Sequence, residues 1–164
     1  MESIVDRYLC DKIKEQRKEL GLTDLDVARK PKLSICEYGD IESYADEIFS
    51  VVPLYHVKKL CAVLEFDFLI FFNIACAFCE ENKPYREEYY RSRSDIVRIR
   101  RNTMNLSTDE LGDKVGFYGI AIENIETYTA HLESWVIDNI LELSCQLEVP
   151  FQVLLDIKCS KCGK

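Results

Sequence analysis

Hydrophobic residues recur along the chain with the spacing of amphipathic helices. Residues 4–21 place four apolar side chains near one helical stripe: Ile4, Leu9, Ile13 and Leu20. This helix would end at Gly21, a residue type favoured just past a helix C-terminus. The segments LYHVKKLCAVLEF (54–66) and WVIDNILELSCQLEV (135–149) carry apolar residues at i, i+3, i+4 and i+7. No stretch has the alternation typical of a strand, so the pattern predicts an all-α protein.

The hydrophobic pattern also repeats. Residues 22–44 align with residues 106–128 without a gap, at an offset of 84. The matched pairs include Leu22 with Leu106, Thr23 with Ser107, Arg17 with Arg101, Ile41 with Ile125, Glu42 with Glu126 and Tyr44 with Tyr128. A one-residue difference in loop length then changes the offset to 83, which aligns Cys76 and Cys79 with Cys159 and Cys162. The sequence therefore predicts two copies of one helical unit.

The copies define a domain organisation. Residues 1–80 form the first predicted unit and residues 95–164 the second, and each unit ends in a CxxC motif. Residues 81–94 lie between them and are rich in polar residues and tyrosine, with one proline, so we interpret them as a linker. Within the first unit, Thr23 and Ser34 are predicted to cap the second and third helices.

Each copy has leucine, then threonine or serine, then four residues before an alanine or glycine, and finally an apolar–x–x–Ile–Glu ending. This pattern, over about residues 8–72 and 92–155, resembles the phage-repressor/Cro (Xre-type) helix-turn-helix family. The resemblance implies a third helix that enters the DNA major groove, at about residues 34–42 and 118–126. We expect the two tandem helix-turn-helix units to pack as a pseudo-dimer through their C-terminal helices and four phenylalanines: Phe66, Phe68, Phe71 and Phe72.

The exposed positions of the third helices depart from the family pattern, which favours Arg, Gln, Asn, Ser or Thr. The first copy offers Ile35, Cys36, Glu37, Gly39 and Asp40, and the second offers Gly119, Ile120, Ala121, Glu123 and Asn124. Neither helix contains lysine or arginine, although phosphate contacts supply most DNA affinity and need cations. We interpret Glu37, Asp40 and Glu123 as contacts to a protein partner. Glu37 and Asp40 are expected to be exposed, so that charge reversal leaves folding intact.

Net charge narrows the function classes. The chain has 164 residues and a formal charge of −8, and an acidic surface favours basic partners over nucleic acid or anionic membranes. With two histidines and no phosphate-binding or nucleophile-elbow motif, catalysis is not expected. The predicted function is a non-enzymatic acidic protein that neutralises a basic protein partner, as an immunity protein or antitoxin does. A DNA-binding regulator of the Xre type is the alternative, and a structural adaptor is a third class.

One segment has the opposite charge. Residues 83–101 hold seven Lys or Arg against three Asp or Glu. This excess of positive charge could bind phosphates. The nucleic-acid contacts of the alternative function would be Arg91, Arg93, Arg98, Arg100 and Arg101. Arg98 and Arg101 could equally pair with acidic residues of the protein itself. Three tyrosines, at positions 85, 89 and 90, could stack on bases or fill a seam between the units.

The two CxxC motifs are candidate metal ligands. Two CxxC pairs supply the four thiolates of a tetrahedral zinc site, and repeat symmetry could bring Cys76, Cys79, Cys159 and Cys162 together. Thiols left reduced, or a redox pair, are the other interpretations, although no βαβ pattern accompanies either motif. Cys61 and Cys145 are expected to be small core residues.

Targeting features are weak. The N-terminal segment MESIVDRYLCDK alternates charged and apolar residues, so a signal peptide is not expected. The longest apolar run, residues 68–79, is too short to cross a bilayer. We expect a cytoplasmic protein with no membrane partner.

Overall fold

The computed structural model describes residues 4–79, 89 and 91–164, with only the backbone described for residues 4–7. The first half contains α1 (Ile4–Glu19), α2 (Asp24–Arg29), α3 (Ile35–Ile41), α4 (Glu47–Ser50), α5 (Leu54–Val63) and α6 (Phe68–Phe71). The second contains α7 (Arg93–Thr103), α8 (Thr108–Val115), α9 (Gly119–Thr127), a 3₁₀ helix (Thr129–Ser134), α10 (Ile137–Leu147) and α11 (Phe151–Leu155). The described ranges contain no β-strand, which confirms the all-α prediction.

The order of elements is the same in the two halves. At an offset of 84, α2 and α3 correspond to α8 and α9, and at 83, α5 and α6 correspond to α10 and α11. The short α4 has the 3₁₀ helix as its counterpart. Helix α7 begins at Arg93, so the last two residues of the predicted linker are helical. Residues 81–88 and 90 of that linker, with Tyr85 and Tyr90, lie outside the described residues.

Local signals in the sequence explain where the helices begin and end. Gly21, with φ of +66°, follows α1, and the N–H of Leu22 bonds back to the Arg17 carbonyl at 3.0 Å, which closes the helix end. Thr23 caps α2 and Ser34 caps α3, as predicted, and each belongs to a reciprocal capping box. Ser107, the counterpart of Thr23, caps α8 in the same way. The caps make the turn between the second and third helices well defined.

A partly buried ion pair occurs in both halves. Arg17 on α1 binds Glu42 at the end of α3 with two N–H···O bonds of 2.7 and 3.1 Å. The equivalent Arg101 binds Glu126 with bonds of 2.6 and 2.8 Å. Each arginine also donates to the carbonyl before its capped helix, at Leu22 and Leu106. One guanidinium therefore joins the first helix, the following turn and the third helix of each half.

The surroundings of Glu42 decide its charge. Burial raises the pKa of Glu42, but the hydrogen bonds from Arg17 and Tyr38 together outweigh it, so the pKa lies below its ordinary value of 4.5. The hydrogen bond to Glu42 also raises the pKa of Arg17. Both groups stay charged at neutral pH, which makes the pair a charge-assisted one.

The two halves share one hydrophobic core that runs from Leu9 to Leu155. The rings of Phe66, Phe68, Phe71 and Phe72 form a cluster, in which Phe66 stacks on Phe71 with 4.3 Å between ring centroids and Phe71 meets Phe72 edge to face. Across the halves, α4 contacts α10 and α5 contacts the 3₁₀ helix. Folding thus buries apolar surface that neither half could cover alone.

Backbone and side-chain contacts join the halves at the N-terminus of α5. Pro53 and Val136 form an antiparallel bridge, and the N–H of Leu54 donates to the Trp135 carbonyl at 2.8 Å. Nearby, Lys58 binds Glu133 at 2.6 Å. We call this contact the seam. Pro53 and Val136 are equivalent residues at the offset of 83, so the two halves contact each other there through equivalent positions of the repeat.

Two further findings concern expectations from sequence. No helix in the described ranges is long and apolar enough to cross a membrane. Cys61 is buried as expected, but Cys145 is exposed, so the prediction of a core role for Cys145 is wrong. Cys145 is two residues from the buried Leu143 and Leu147 on α10, and a helix turns about 200° over two residues.

The repeated ion pair gives a stability prediction. Replacing Arg101 by alanine leaves Glu126 as a nearly buried carboxylate without its partner, because the side chain of Glu126 is only 10% exposed. We expect a loss of about 3 kcal/mol in the free energy of unfolding, measured by urea denaturation. Arg17→Ala should behave alike. The control is Arg98→Ala, since Arg98 pairs with Asp95 at the surface, where a change within about 1 kcal/mol is expected. Equal losses of unfolding free energy in Arg98→Ala and Arg101→Ala would contradict a stabilising role for the pair of Arg101 and Glu126.

Candidate metal centre and interaction surfaces

The structure brings the four cysteines of the CxxC motifs together. The sulfur atoms of Cys76, Cys79, Cys159 and Cys162 all lie within 4.8 Å of one another. Cys76 Sγ lies 3.7 Å from Cys162 Sγ, and Cys79 Sγ lies 3.7 Å from Cys159 Sγ. These distances are far beyond the roughly 2.05 Å of a disulfide, so all four are free thiols. The cluster is a possible metal site.

Each CxxC turn directs a backbone N–H at its first sulfur. The N–H of Phe78 donates to Cys76 Sγ at 3.4 Å, and the N–H of Lys161 donates to Cys159 Sγ at 3.4 Å. Gly163 has a φ of +73°, and its N–H donates to the Cys159 carbonyl at 2.8 Å. Glycine adopts this left-handed conformation without a side-chain clash. The two turns therefore share the N–H donor to the first sulfur, and the second turn alone has the glycine.

Gln152 on α11 holds the two turns against each other, and sequence reasoning missed it. Its side chain is almost fully buried. The amide oxygen accepts from the N–H of Ala77 at 2.7 Å, within the first CxxC turn. The amide nitrogen donates to the carbonyls of Ile157 and Lys164, which flank the second. A polar residue in the apolar stretch FQVLL was the available signal, since a buried amide needs hydrogen-bond partners.

The thiols have different proton affinities. Backbone N–H groups of Cys162 and Lys161 lower the pKa of Cys159 to about 7. Hydrogen bonds with the sulfurs of Cys162 and Cys76 raise the pKa of Cys79 to about 12. Burial raises the pKa of Cys76. The cluster thus favours a thiolate at Cys159 and a protonated thiol at Cys79, and a thiolate is the form that binds metal.

The third-helix surfaces, defined as the exposed side chains of residues 34–44 and 118–128, combine acidic and apolar groups. Asp40 and Glu123 are exposed as predicted for partner contacts. In the first half, Ile35 and Tyr44 are also exposed. In the second half, Tyr118, Ile120 and Tyr128 have exposed fractions of 85%, 61% and 64%. Both third-helix surfaces thus present large apolar side chains as well as carboxylates to solvent.

Glu37 is exposed as well, but it has a structural role. Its carboxylate accepts from the Ser34 N–H at 2.7 Å, while the Ser34 hydroxyl accepts from the Glu37 N–H at 3.1 Å. The expectation that charge reversal at Glu37 leaves folding intact therefore needs correction, because a lysine there removes one half of the cap of α3. The signal was the Ser–x–x–Glu spacing of a capping box.

The arginines of the alternative nucleic-acid surface lie in different environments. Arg93 and Arg100 are buried, and Arg101 is held by Glu126. Arg98 is exposed and pairs with Asp95, as anticipated for an internal partner, and Arg91 is exposed. The five positions therefore do not present five guanidinium groups on one open face.

A comparison of the chain with protein-family models, curated proteins and solved structures finds no match.

The capping role of Glu37 predicts a pH dependence. Hydrogen bonds from the backbone and side chain of Ser34 hold the pKa of Glu37 below its ordinary value of 4.5. A lowered pKa stabilises the folded state above the unfolded-state pKa, and this contribution disappears as pH falls through the folded-state pKa. Glu37→Ala should therefore lower the melting temperature near pH 7, and the difference from wild type should shrink toward about pH 3.

The melting temperatures of wild type and variant are measured by circular dichroism across this pH range. Asp40→Ala is the control, because Asp40 is an exposed carboxylate of the same helix outside the capping box. A difference for Glu37→Ala that stays constant with pH would contradict a role for its charge.

Proposed function

We propose that this protein is a non-enzymatic binding protein that neutralises a basic protein partner, in the manner of an immunity protein or antitoxin. The observation that carries the proposal is the composition of the third-helix surfaces. They expose carboxylates and large apolar side chains, and residues 34–42 and 118–126 contain no lysine or arginine. Interfaces between proteins are enriched in aromatic residues, whereas DNA affinity depends on cations.

The scaffold of this function is a pair of tandem Xre-type helix-turn-helix units packed as a pseudo-dimer. The bridge between Pro53 and Val136 supports it, because equivalent residues meet each other where a two-fold axis passes through an interface. The cysteines support it too. Cys76 lies against the counterpart of Cys79, and Cys79 lies against the counterpart of Cys76, which is the reciprocal pattern of a two-fold relation.

A structural zinc ion completes the scaffold, bound by Cys76, Cys79, Cys159 and Cys162. A tetrahedral site with Zn–S bonds of about 2.3 Å has sulfurs about 3.8 Å apart, and the two cross pairs at 3.7 Å fit this geometry. Soft thiolates select zinc over magnesium or calcium. Because the protein fills all four positions, the ion has no open position for a substrate. Its role is to hold the two halves together.

The partner is captured in two steps. The negative charge of the protein, −8 overall, speeds encounter with a cationic protein and orients it. Contact then desolvates the apolar part of the surface, where Tyr118, Ile120 and Tyr128 have the highest exposed fractions among the large hydrophobic side chains described in the second half. Tyrosine and other aromatic anchors commonly carry most of the binding free energy.

The alternative function, a DNA-binding regulator of the Xre type, has less support. Its candidate contacts Arg93 and Arg100 are buried, and a buried guanidinium cannot reach a phosphate without local rearrangement. Arg91 and Arg98 remain exposed. Two exposed arginines supply a small share of the phosphate contacts that specific binding uses.

The zinc assignment is tested by metal content and stability. Protein purified without chelator should contain about one equivalent of zinc per chain, and Cys162→Ser should contain far less. Chelation should destabilise the fold by about 4 kcal/mol relative to protein with free zinc about 1,000-fold above its dissociation constant. Cys145→Ser is the matched control, because Cys145 is exposed and outside the cluster. A wild-type zinc content no higher than that of Cys162→Ser would rule out the site.

The partner proposal is tested by charge reversal. Affinity purification with the tagged chain should enrich a basic protein, and Asp40→Lys or Glu123→Lys should weaken that complex by about 1–3 kcal/mol, mainly through slower association at low salt. Glu142→Lys makes the same charge change on α10 and serves as control. The association rates of these variants and of the control are compared at several salt concentrations.

A separate experiment tests the alternative function by selecting the sequences that the protein binds from a pool of random DNA duplexes. The wild-type protein should select no defined sequence at physiological salt. Recovery of a defined operator, with affinity lost in Asp40→Lys, would replace the partner proposal by the regulator.

A further inference from the structure

The outward face of the third helix differs between the two halves. On α9 it is formed by four exposed side chains that recur at i, i+3, i+4 and i+7, the spacing of one helical face: Ile120, Glu123, Asn124 and Thr127. We call it the α9 face. At the offset of 84, the equivalent exposed positions in the first half carry Cys36, Gly39, Asp40 and Ser43. A cysteine and a glycine thus stand where the α9 face has an isoleucine and a glutamate.

Helix α8 packs against α9 and adds a carboxylate to this face. Gly119 has no side chain, and the carboxylate of Asp109 lies in the space that a Cβ atom at position 119 would take. One turn further along α9, the Thr108 hydroxyl donates to the carboxylate of Glu123 at 3.4 Å. Ile120 stands between these two contact positions and is exposed. The carboxylates of Asp109 and Glu123 therefore lie beside an exposed apolar side chain.

The first half has no equivalent of these carboxylates. Three acidic positions of the second half, Asp109, Asp113 and Glu123, have non-acidic counterparts: Leu25, Arg29 and Gly39. Among the described residues, none of the three carboxylates forms an ion pair. Residues 107–128 hold five Asp or Glu against one Lys, whereas residues 23–44 hold five against three Lys or Arg. Uncompensated negative charge is therefore concentrated in the second half.

The large apolar side chains are also placed differently in the two halves. Tyr118 and Ile120 are strongly exposed, and their counterparts are Ser34, which caps α3, and Cys36. The first half exposes Leu25 and Ile35 instead, but its helix-turn-helix lacks the three carboxylates described above. Only the second half combines large apolar side chains with uncompensated carboxylates at these positions.

The charge of this surface selects its occupant. A second copy of the chain carries the same carboxylates and a net charge of −8, so like charges oppose self-association through this face. DNA is repelled for the same reason. Lysine and arginine side chains complement the carboxylates, and an apolar side chain next to them would cover Tyr118 and Ile120.

We infer that the basic partner binds through the α9 face and Asp109 alone, so that one partner segment binds per chain despite the internal repeat. This inference rests on the proposed function and names the surface and the kind of segment. The segment carries lysine or arginine, which pairs with Asp109, Asp113 and Glu123 through charge-assisted hydrogen bonds. An adjoining apolar side chain packs against Tyr118 and Ile120, and such anchors carry much of the binding free energy.

A random dodecapeptide library displayed on phage is the probe. It is panned against the full chain, with its metal complement as purified, and the most enriched peptide is synthesised and titrated by calorimetry. Physiological salt is used because a Debye length of about 8 Å removes the long-range attraction to which every carboxylate contributes at low salt. Enriched peptides should combine lysine or arginine with an aromatic or aliphatic residue, and one peptide should bind per chain.

Two matched pairs of variants locate the surface. Ile120→Lys and Cys36→Lys make the same charge change at equivalent exposed positions. Ile120→Lys should weaken peptide binding at least about tenfold, because it removes an anchor and adds a like charge, whereas Cys36→Lys should stay within about twofold. Glu123→Gln and Asp40→Asn each remove one exposed carboxylate, and only the first should weaken binding, by about tenfold. Melting temperatures should be unchanged in all four variants, since the replaced side chains are exposed.

The outcomes separate this inference from the proposed function. Two peptides bound per chain, or equal weakening by Cys36→Lys and Ile120→Lys, would overturn the one-sided surface and leave the capture of a basic protein standing. A chain that dimerises in analytical ultracentrifugation, and loses the dimer in Ile120→Lys, would show that a second copy covers the face. Enriched peptides without an excess of lysine and arginine would overturn the inference together with the proposed function.

Discussion

The seam at Pro53 and Val136 is the constraint on which the arrangement of the two halves depends. There the chain pairs with its own repeat, and the Leu54 N–H bonds to the Trp135 carbonyl at 2.8 Å. Because the pairing is antiparallel and joins equivalent residues, the segments that follow, α5–α6 and α10–α11, leave the seam in a related way. The CxxC turns at their ends can then converge, although the aligned cysteines lie 83 positions apart in sequence. The cysteine cluster lies at the ends of these segments.

Three polar contacts, two of them partly buried and one buried, add specificity to this apolar core. The pairs Arg17–Glu42 and Arg101–Glu126 fix the third helix in each half, and Gln152 ties the two cysteine turns. Such contacts contribute little net stability compared with apolar packing, but losing one partner leaves a buried group unsatisfied, which is costly. They therefore select one arrangement of helices among the many that an apolar core alone would allow.

Local features of this structure were predictable from sequence, and features that depend on packing between distant segments were not. Helical spacing and the caps at Thr23 and Ser34 depend on neighbouring residues, and repeat alignment was enough to bring the cysteines together. The burial of Arg93 and Arg100 was missed, because a cluster of basic residues looks the same in sequence whether it faces water or a core. The exposure of Cys145 was missed because one position on a helix separates core from solvent. The contacts of Gln152 join residues from both halves, and no local pattern encodes them.

Gln152 has a further consequence, because its counterpart in the first half is Leu69, which is also buried. Only the second half carries the side-chain amide that joins the two turns. The amide oxygen accepts a hydrogen bond from the Ala77 N–H of the first half. The halves are therefore no longer interchangeable, as two identical subunits would be. A dimer of first halves would have two leucines and no amide between its turns, and a dimer of second halves would place two amides there. The contact between the two cysteine turns is therefore asymmetric, since one residue of the second half makes the hydrogen bonds that its counterpart Leu69 cannot make.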